Sequence, residues 1–208
     1  MAGFMDFENK LAEIGGSIKL LRNEPLSRHT SFKIGGPAAL MAFPASVEEL
    51  SVLLKLSADL DISPFILGAG TNVLAPDAGI DGVVICLKDC LNGMRELDGN
   101  RIEVMAGVTL SRAAVFAANL GLAGMEFAHG IPGTVGGGVY MNAGAYGGEL
   151  CQICESVDVM TVDGKLEHYT CQQMEFGYRH SVLEDKGGIV TKAVFALQRA
   201  SRRSFGTK

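Results

Sequence analysis

Apolar residues recur at two different periods along this chain, and the changes of period mark out the predicted elements. Phe7, Leu11 and Ile14 fall on one side of a short helix that Gly15-Gly16 would end. The run Ala38–Phe43 predicts a strand. Ser46-Val47-Glu48-Glu49 follows it as a capping box, opening a helix with Leu50, Leu53, Leu54 and Leu60 on one side. Pro64 precedes a short strand, Phe65–Leu67, which runs into Gly68-Ala69-Gly70-Thr71-Asn72. Val83–Leu87 and Ile102–Met105 read as strands. Thr109 caps a helix running through Leu120, with Gly121 as its stop. Val157–Val162 and Leu166–Tyr169 flank the hairpin signal Asp163-Gly164, and Ile189–Leu197 is a last strand.

Strands and helices alternate without a parallel βαβ rhythm, so the pattern predicts a mixed α+β fold. No internal repeat or low-complexity segment interrupts it. The stretch Arg199–Lys208 is basic and reads as an unpacked tail.

Composition narrows the class. A chain of 208 residues with 48% apolar and 20% charged residues can bury a core, which argues against disorder. The net charge of -5 gives no electrostatic reason for a nucleic-acid partner. Met1–Lys10 carries Asp6 and Glu8 and lacks the basic start and apolar run of a signal peptide. Ala113–Ala118, the most apolar region, is broken by Asn119 and Gly121, far short of a membrane span. Five cysteines, an odd number, predict reduced thiols and a cytoplasmic location.

Glycine changes the picture further. Eight of the 19 residues from Gly130 to Gly148 are glycine, and consecutive glycines cost conformational entropy while contributing no packing. Ile131, Val135, Val139 and Met141 make the segment too apolar for a flexible loop, so a backbone cradle for a flat or charged ligand is the better reading. The earlier turn Gly68–Asn72 follows a strand, where amides can converge on an anion. It is neither a dinucleotide fingerprint, because Val73 stands at the sixth position, nor a P-loop, because no lysine follows. Taken alone it reads as a tight turn ahead of an anion site. Cys151-Gln152-Ile153-Cys154 could join Cys86 and Cys90 as metal ligands, but the spacing is not a zinc pattern, so these read as incidental thiols with no metal site. His29, His129, His168 and His180 are scattered, and His180 reads as satisfying local hydrogen bonds.

Four segments in order carry a family resemblance: Leu26–Pro37 (Leu-Ser-Arg-His-Thr-Ser-Phe-Lys-Ile-Gly-Gly-Pro), Leu67–Leu74, Gly130–Gly147, and Phe176-Gly177-Tyr178-Arg179-His180-Ser181. Together they resemble the UDP-N-acetylenolpyruvoylglucosamine reductase family over about Leu20 to Gln198. The resemblance implies a vanillyl-alcohol-oxidase-like (PCMH-type) FAD-binding fold of two α+β subdomains, residues 1–88 and 89–200, with 201–208 as a tail. It implies non-covalent FAD held at Gly68, Ala69, Gly70, Thr71 and Asn72 and at Gly130, Ile131, Pro132, Gly133, Thr134 and Val135, with Asn142, Ala143 and Gly144 close by. Arg179 would be the catalytic arginine, and Tyr146 and Tyr178 would face a nucleotide-sugar substrate. NADPH would be the hydride donor, and the protein a monomer with no nucleic-acid or membrane partner.

The chemistry gives Arg179 its own rationale. Hydride addition to an enolpyruvyl carboxylate builds enolate charge, which a permanently charged, fork-shaped guanidinium stabilises without changing protonation state.

The family's third domain, with a serine in a Gly-Ser-x-Phe-Lys-Asn-Pro-like motif and a late glutamate, finds no counterpart here. Ser204-Phe205-Gly206-Thr207-Lys208 matches that motif only superficially. The sequence reading therefore expects a chain cut short of the substrate domain, with FAD binding and little turnover. The short connection from Ser181 to Gly188 leaves no room for the extra substrate-covering loop of one family branch. Two other readings stay open: a non-catalytic FAD-binding module, and a flavin oxidase of the wider superfamily, in which His129 is the candidate for a covalent flavin link.

Overall fold

Two edge strands that the hydrophobic pattern does not announce frame the fold. In the computed structural model, which describes residues 2–14, 18–88 and 90–200, helix α1 spans Ala2–Ile14 and is followed by strand β1, Lys19–Pro25. None of the β1 residues is fully buried, and the strand lies at the edge of its sheet. The same holds for Met94–Leu97, introduced below as β5. With no buried face on either strand, neither sequence carries an alternation of buried and exposed positions to read. The proposed stop at Gly15-Gly16 lies outside the described residues.

The chain forms two compact units. The first comprises Met1–Leu91 with the hairpin tip Met160–Leu166. After α1 and β1 come β2 (Pro37–Phe43), α2 (Val47–Asp59), β3 (Phe65–Leu67) and β4 (Ile80–Cys86). The sheet order is β1-β2-β4-β3, with β1 antiparallel to β2 while β2 and β3 run parallel to β4. Helix α2 starts where the sequence says it should: Ser46 Oγ accepts from the Glu49 N–H at 3.2 Å. The reciprocal bond of the box shifts by one residue, because the Glu49 carboxylate accepts from the Ala45 N–H rather than from that of Ser46. Leu50, Leu53 and Leu54 are buried on its inner side. Leu26, Ala38, Met41, Leu67, Ala75, Val84 and Cys86 form the core beneath the turns described below.

The second unit, Asn92–Val159 with Glu167–Lys208, begins with β5, β6 (Arg101–Met105), α3 (Leu110–Asn119) and β7 (Leu122–Ala123). Helix α4 (Val135–Tyr140), β8 (Gly144–Ala145), β9 (Gly148–Glu149), β10 (Cys154–Met160), β11 (Leu166–Thr170), α5 (Leu183–Lys186), β12 (Ile189–Ala196) and β13 (Gln198–Arg199) follow. Its main sheet has the order β11-β10-β12-β6-β5. Ionisable side chains step across every strand of it: Arg95 to Glu103 at 2.8 Å, Glu103 to Lys192 at 2.9 Å, Lys192 to Asp158 at 3.2 Å, and Asp158 to His168 at 2.7 Å.

Arg199 corrects one expectation. It is not part of a loose tail, since it pairs with Leu122 through β13 and β7 and its guanidinium donates to the Leu120 carbonyl at 3.1 Å. Residues 201–208 lie outside the described residues. The 160–166 hairpin closes with a three-residue loop, in which Gly164 (φ +75°) takes the left-handed position after the turn.

Candidate functional site

In the first unit, two of the segments that carry the resemblance become one surface. Backbone bonds from Leu26 to Gly36 and from Ser27 to Gly35 close the first segment on itself. The Ser31 N–H then donates to the Gly70 carbonyl at 3.0 Å, tying it to the Gly68–Asn72 turn. Gly70 is needed there for the protein's own sake: φ is +64°, and a Cβ would stand 2.1 Å from the His29 carbonyl oxygen. The turn leaves the carboxyl end of β3, next to the parallel strand β4. The position suits a ligand, because open α/β sheets receive ligands off the carboxyl ends of their parallel strands.

Phe32, Ile34 and Leu74 on these joined segments are exposed, Leu74 by 75%. Exposed apolar side chains beside a glycine turn suit a surface that a ligand or partner covers. Apolar residues inside otherwise polar turns are the only signal in the sequence that points to them.

In the second unit, the glycine-rich segment is pinned along loop 106–110. The N–H groups of Leu110, Val135 and Gly136 donate to the carbonyls of Gly133, Val108 and Ala106, at 3.0, 2.8 and 2.9 Å. The triple glycine lies within helix α4, capped by Thr134 Oγ1 accepting from Gly137 N–H at 3.4 Å, rather than in an irregular cradle. Gly136 and Gly138 are explained by packing. Added Cβ atoms there would meet Ala106 at 2.8 Å and Leu110 at 3.0 Å.

Gly137 is different. It is exposed, and an added Cβ would meet nothing nearer than Thr134 Oγ1 at 3.7 Å. No packing contact demands glycine at that point, which fits a ligand lying close against the backbone. Val135 is fully buried and its N–H is bonded, so it shapes the segment from below. Gly130 and Pro132 are exposed, while Ile131 and Gly133 are half-buried.

Arg179, Tyr178 and Tyr146 come together on this unit. Gly177 and His180 bond each other through both backbone pairs, closing a turn with Tyr178 and Arg179 at its centre. Arg179 sits at φ +53°, the third turn position usually held by glycine or asparagine. Its Nη2 donates to the Gly144 carbonyl at 2.9 Å, and its guanidinium carbon lies 6.0 Å from the Tyr178 ring centroid. Gly144 opens the β8–β9 hairpin, whose turn Tyr146-Gly147 has both residues at positive φ (+53° and +83°). Tyr146 is 94% exposed and Tyr178 86% exposed.

Asn142, Tyr146, Glu175 and Arg179 account for four of the nine non-glycine residues at positive φ among those described. Such backbone costs of order 1 kcal/mol or more apiece, and clustering of that strain is a mark of functional sites.

The remaining polar groups are structural. His180 Nδ1 bonds Glu184 at 2.8 Å, which raises the imidazole pKa. The buried Ser181 hydroxyl donates to the Tyr140 carbonyl. Burial pushes the Cys154 thiol up to about 12, with the nearby Cys171, Cys151 and Glu155 adding to it, and burial also raises Cys151 and Cys171. Thiols held protonated are poor nucleophiles and poor metal ligands. Among the described residues no group of three or more His, Cys, Asp or Glu side chains could hold a metal ion. No helix there is long and apolar enough to cross a membrane.

A mixed α+β chain with these turns belongs to the vanillyl-alcohol-oxidase-like, PCMH-type FAD-binding fold. The fold is shared at a TM-score of 0.71 with a chitooligosaccharide oxidase only 16% identical, the superposition covering 93% of this chain and 43% of the oxidase. The family model described as FAD binding domain matches residues 38–170, and the chain belongs to that family. The chain is similar to the UDP-N-acetylenolpyruvoylglucosamine reductase of Lactobacillus acidophilus, 47% identical over 174 residues, covering 84% of this chain and 58% of the relative. The crystal structure of the Thermus caldophilus UDP-N-acetylenolpyruvylglucosamine reductase superposes at a TM-score of 0.72 with 33% identity, covering 88% of this chain and 63% of that one. The chain therefore spans less than two thirds of the length of either reductase.

Proposed function

We propose that this chain carries the FAD site and part of the substrate site of a reductase. Its substrate would be UDP-N-acetylglucosamine enolpyruvate, its product UDP-N-acetylmuramate, and its hydride donor NADPH. Such an enzyme acts in the cytoplasm on a peptidoglycan precursor. The observation that carries the reading is Arg179, an exposed arginine in strained left-handed backbone, clasped to Gly144, with the exposed Tyr178 beside it in the same turn and the exposed Tyr146 in the hairpin that Gly144 opens.

Gly68–Asn72 and Gly130–Thr134 line the diphosphate and the flavin, with the Ile131 N–H spent on the Ala128 carbonyl and Pro132 offering none, and the bare Gly137 backbone lets a flat ring approach. FAD, when bound, supplies a two-electron hydride carrier. In the net reaction NADPH becomes NADP⁺, its hydride reaching the β-carbon of the enol ether while a proton adds at the α-carbon. Arg179 uses the N–H groups not given to Gly144 to grip the substrate carboxylate. As enolate charge develops toward that carboxylate, a fixed guanidinium binds the transition state more tightly than the ground state. Tyr146 and Tyr178 offer rings and hydroxyls to the substrate around it.

The test is to reconstitute the purified chain with FAD, record its visible spectrum, and add NADPH and then the enol ether without oxygen. Flavin bands that appear on reconstitution and that NADPH bleaches are the expected result, with reoxidation by the enol ether slow or absent. A chain that retains no flavin after reconstitution overturns the reading.

A further inference from the structure

We propose that Asn142 is a positioning residue, whose buried side chain fixes the Tyr178–Arg179 turn against the Tyr146 hairpin and so holds the Arg179 guanidinium ready for a carboxylate. The inference rests on the assignment of Arg179 to the substrate carboxylate. It moves Asn142 from contact with the cofactor to support of the arginine.

Asn142 is 2% exposed, and its side chain is spent within the protein. Nδ2 donates to Glu149 Oε2 at 3.0 Å and to the Gly177 carbonyl at 2.9 Å, while Oδ1 accepts from the Cys151 N–H at 3.0 Å. This orientation is forced. A flipped amide would set its oxygen against the Glu149 carboxylate and a carbonyl, and its NH₂ against an N–H.

The bonds form a ring. Asn142 holds Gly177, the first residue of the turn. Arg179, two residues on, returns to the carbonyl of Gly144, two residues after Asn142. The position makes two demands at once, a left-handed backbone (φ +45°) and a side chain with two donors and an acceptor. Asparagine meets both. Glycine lacks the side chain and aspartate lacks the donors.

The experiment compares the FAD-loaded parent chain with Asn142→Asp and Asn142→Gly. Three quantities are read: FAD affinity, affinity for UDP-N-acetylglucosamine enolpyruvate from its perturbation of the flavin absorbance, and amide hydrogen exchange at Gly177 and His180. Both variants should exchange faster at those amides and bind the enol ether about tenfold more weakly at pH 8, the loss of one or two hydrogen bonds, while FAD affinity stays within about twofold.

In Asn142→Asp the new carboxyl faces Glu149, with the Cys151 thiol 3.6 Å from the Glu149 oxygen, so its pKa rises. Acidification toward pH 5.5 returns a proton, a donor, and most of the affinity. Asn142→Gly recovers nothing, and the parent over the same range serves as control. FAD affinity falling in step with enol-ether affinity, or unchanged exchange at Gly177 and His180, overturns the proposal. A parent chain whose flavin ignores the enol ether strikes the Arg179 assignment instead, and the exchange rates still decide whether Asn142 holds the turn.

Discussion

Arg179 reaches back across 35 residues of sequence to the Gly144 carbonyl, 2.9 Å away, and thereby joins two turns that each hold a bulky side chain in the left-handed region. Backbone strain of this kind is kept only where the surrounding bonds over-determine it. Strain and side-chain chemistry can be separated by mutation, and the predictions begin there.

Arg179→Gly removes the guanidinium and the strain together. Stability should hold or rise by up to about 1 kcal/mol, because glycine adopts this φ freely while the Gly144 bond is exposed and weak. Affinity for the enol ether should fall at least tenfold, and Arg179→Lys should restore little of it for want of the fork geometry. Denaturant melts and flavin-perturbation titrations check both halves. Unchanged enol-ether binding in Arg179→Gly would remove Arg179 from the site.

Gly137→Ala discriminates between a structural and a ligand-bound glycine. Alanine in a helix is favoured over glycine by roughly 0.5–1 kcal/mol, so the apo chain should melt about 1–4 °C higher. FAD should bind about tenfold more weakly, since the methyl takes space the cofactor needs. Improved melting with unaltered FAD affinity would mean that nothing approaches that backbone.

The ladder across the second unit's sheet predicts an acid response. Burial alone pushes the Glu103 carboxyl up, but the hydrogen bonds from Arg95 and Lys192 outweigh it and leave the pKa below the usual value. A depressed carboxylate contributes stability that is present above its unfolded pKa and lost as pH falls through the folded one. Lys192→Met should cost about 1–2 kcal/mol at pH 7, leaving Glu103 and Asp158 without their shared cation, and less at a pH low enough to protonate Glu103 through its lowered pKa. Urea melts at the two pH values measure the difference, and equal losses at both would show that the ladder is not electrostatic.

His180 should titrate above 6.5, because the Glu184 carboxylate favours the imidazolium; desolvation pulls the other way, and Asp185 and Glu175 add to the rise. Its contribution to stability is complete below the unfolded pKa and lost as pH rises through the folded one. NMR titration of the ring protons should show the pKa dropping in Glu184→Gln. A pKa that ignores this change would place the cause elsewhere.

The flavin is expected to be held without a covalent bond, although His129 stands exposed in the turn that leads into Gly130. Acid precipitation of the loaded chain should release it all to the supernatant, and yellow colour left in the pellet would favour the oxidase-like reading.

The elements that bury an apolar face were legible from sequence alone. Period and caps located β2, α2, β3, β4, α3, β10 and β12 to within a few residues, because a half-buried element must repeat its pattern and a helix must satisfy its first amides. The four segments in order likewise sufficed to point to the family. Strands β1 and β5 escaped, since neither has a fully buried residue and so neither carries a buried face to read. Helix α4 escaped because three glycines argue against a helix until Ala106 and Leu110 are seen pressing on two of them. Only tertiary structure could separate Gly137, which packing does not need, from Gly136 and Gly138, which it does. Only it could turn Asn142 inward and lay Arg179 over Gly144, because those bonds span 7 to 35 residues and no local pattern records which carbonyl a distant side chain will find.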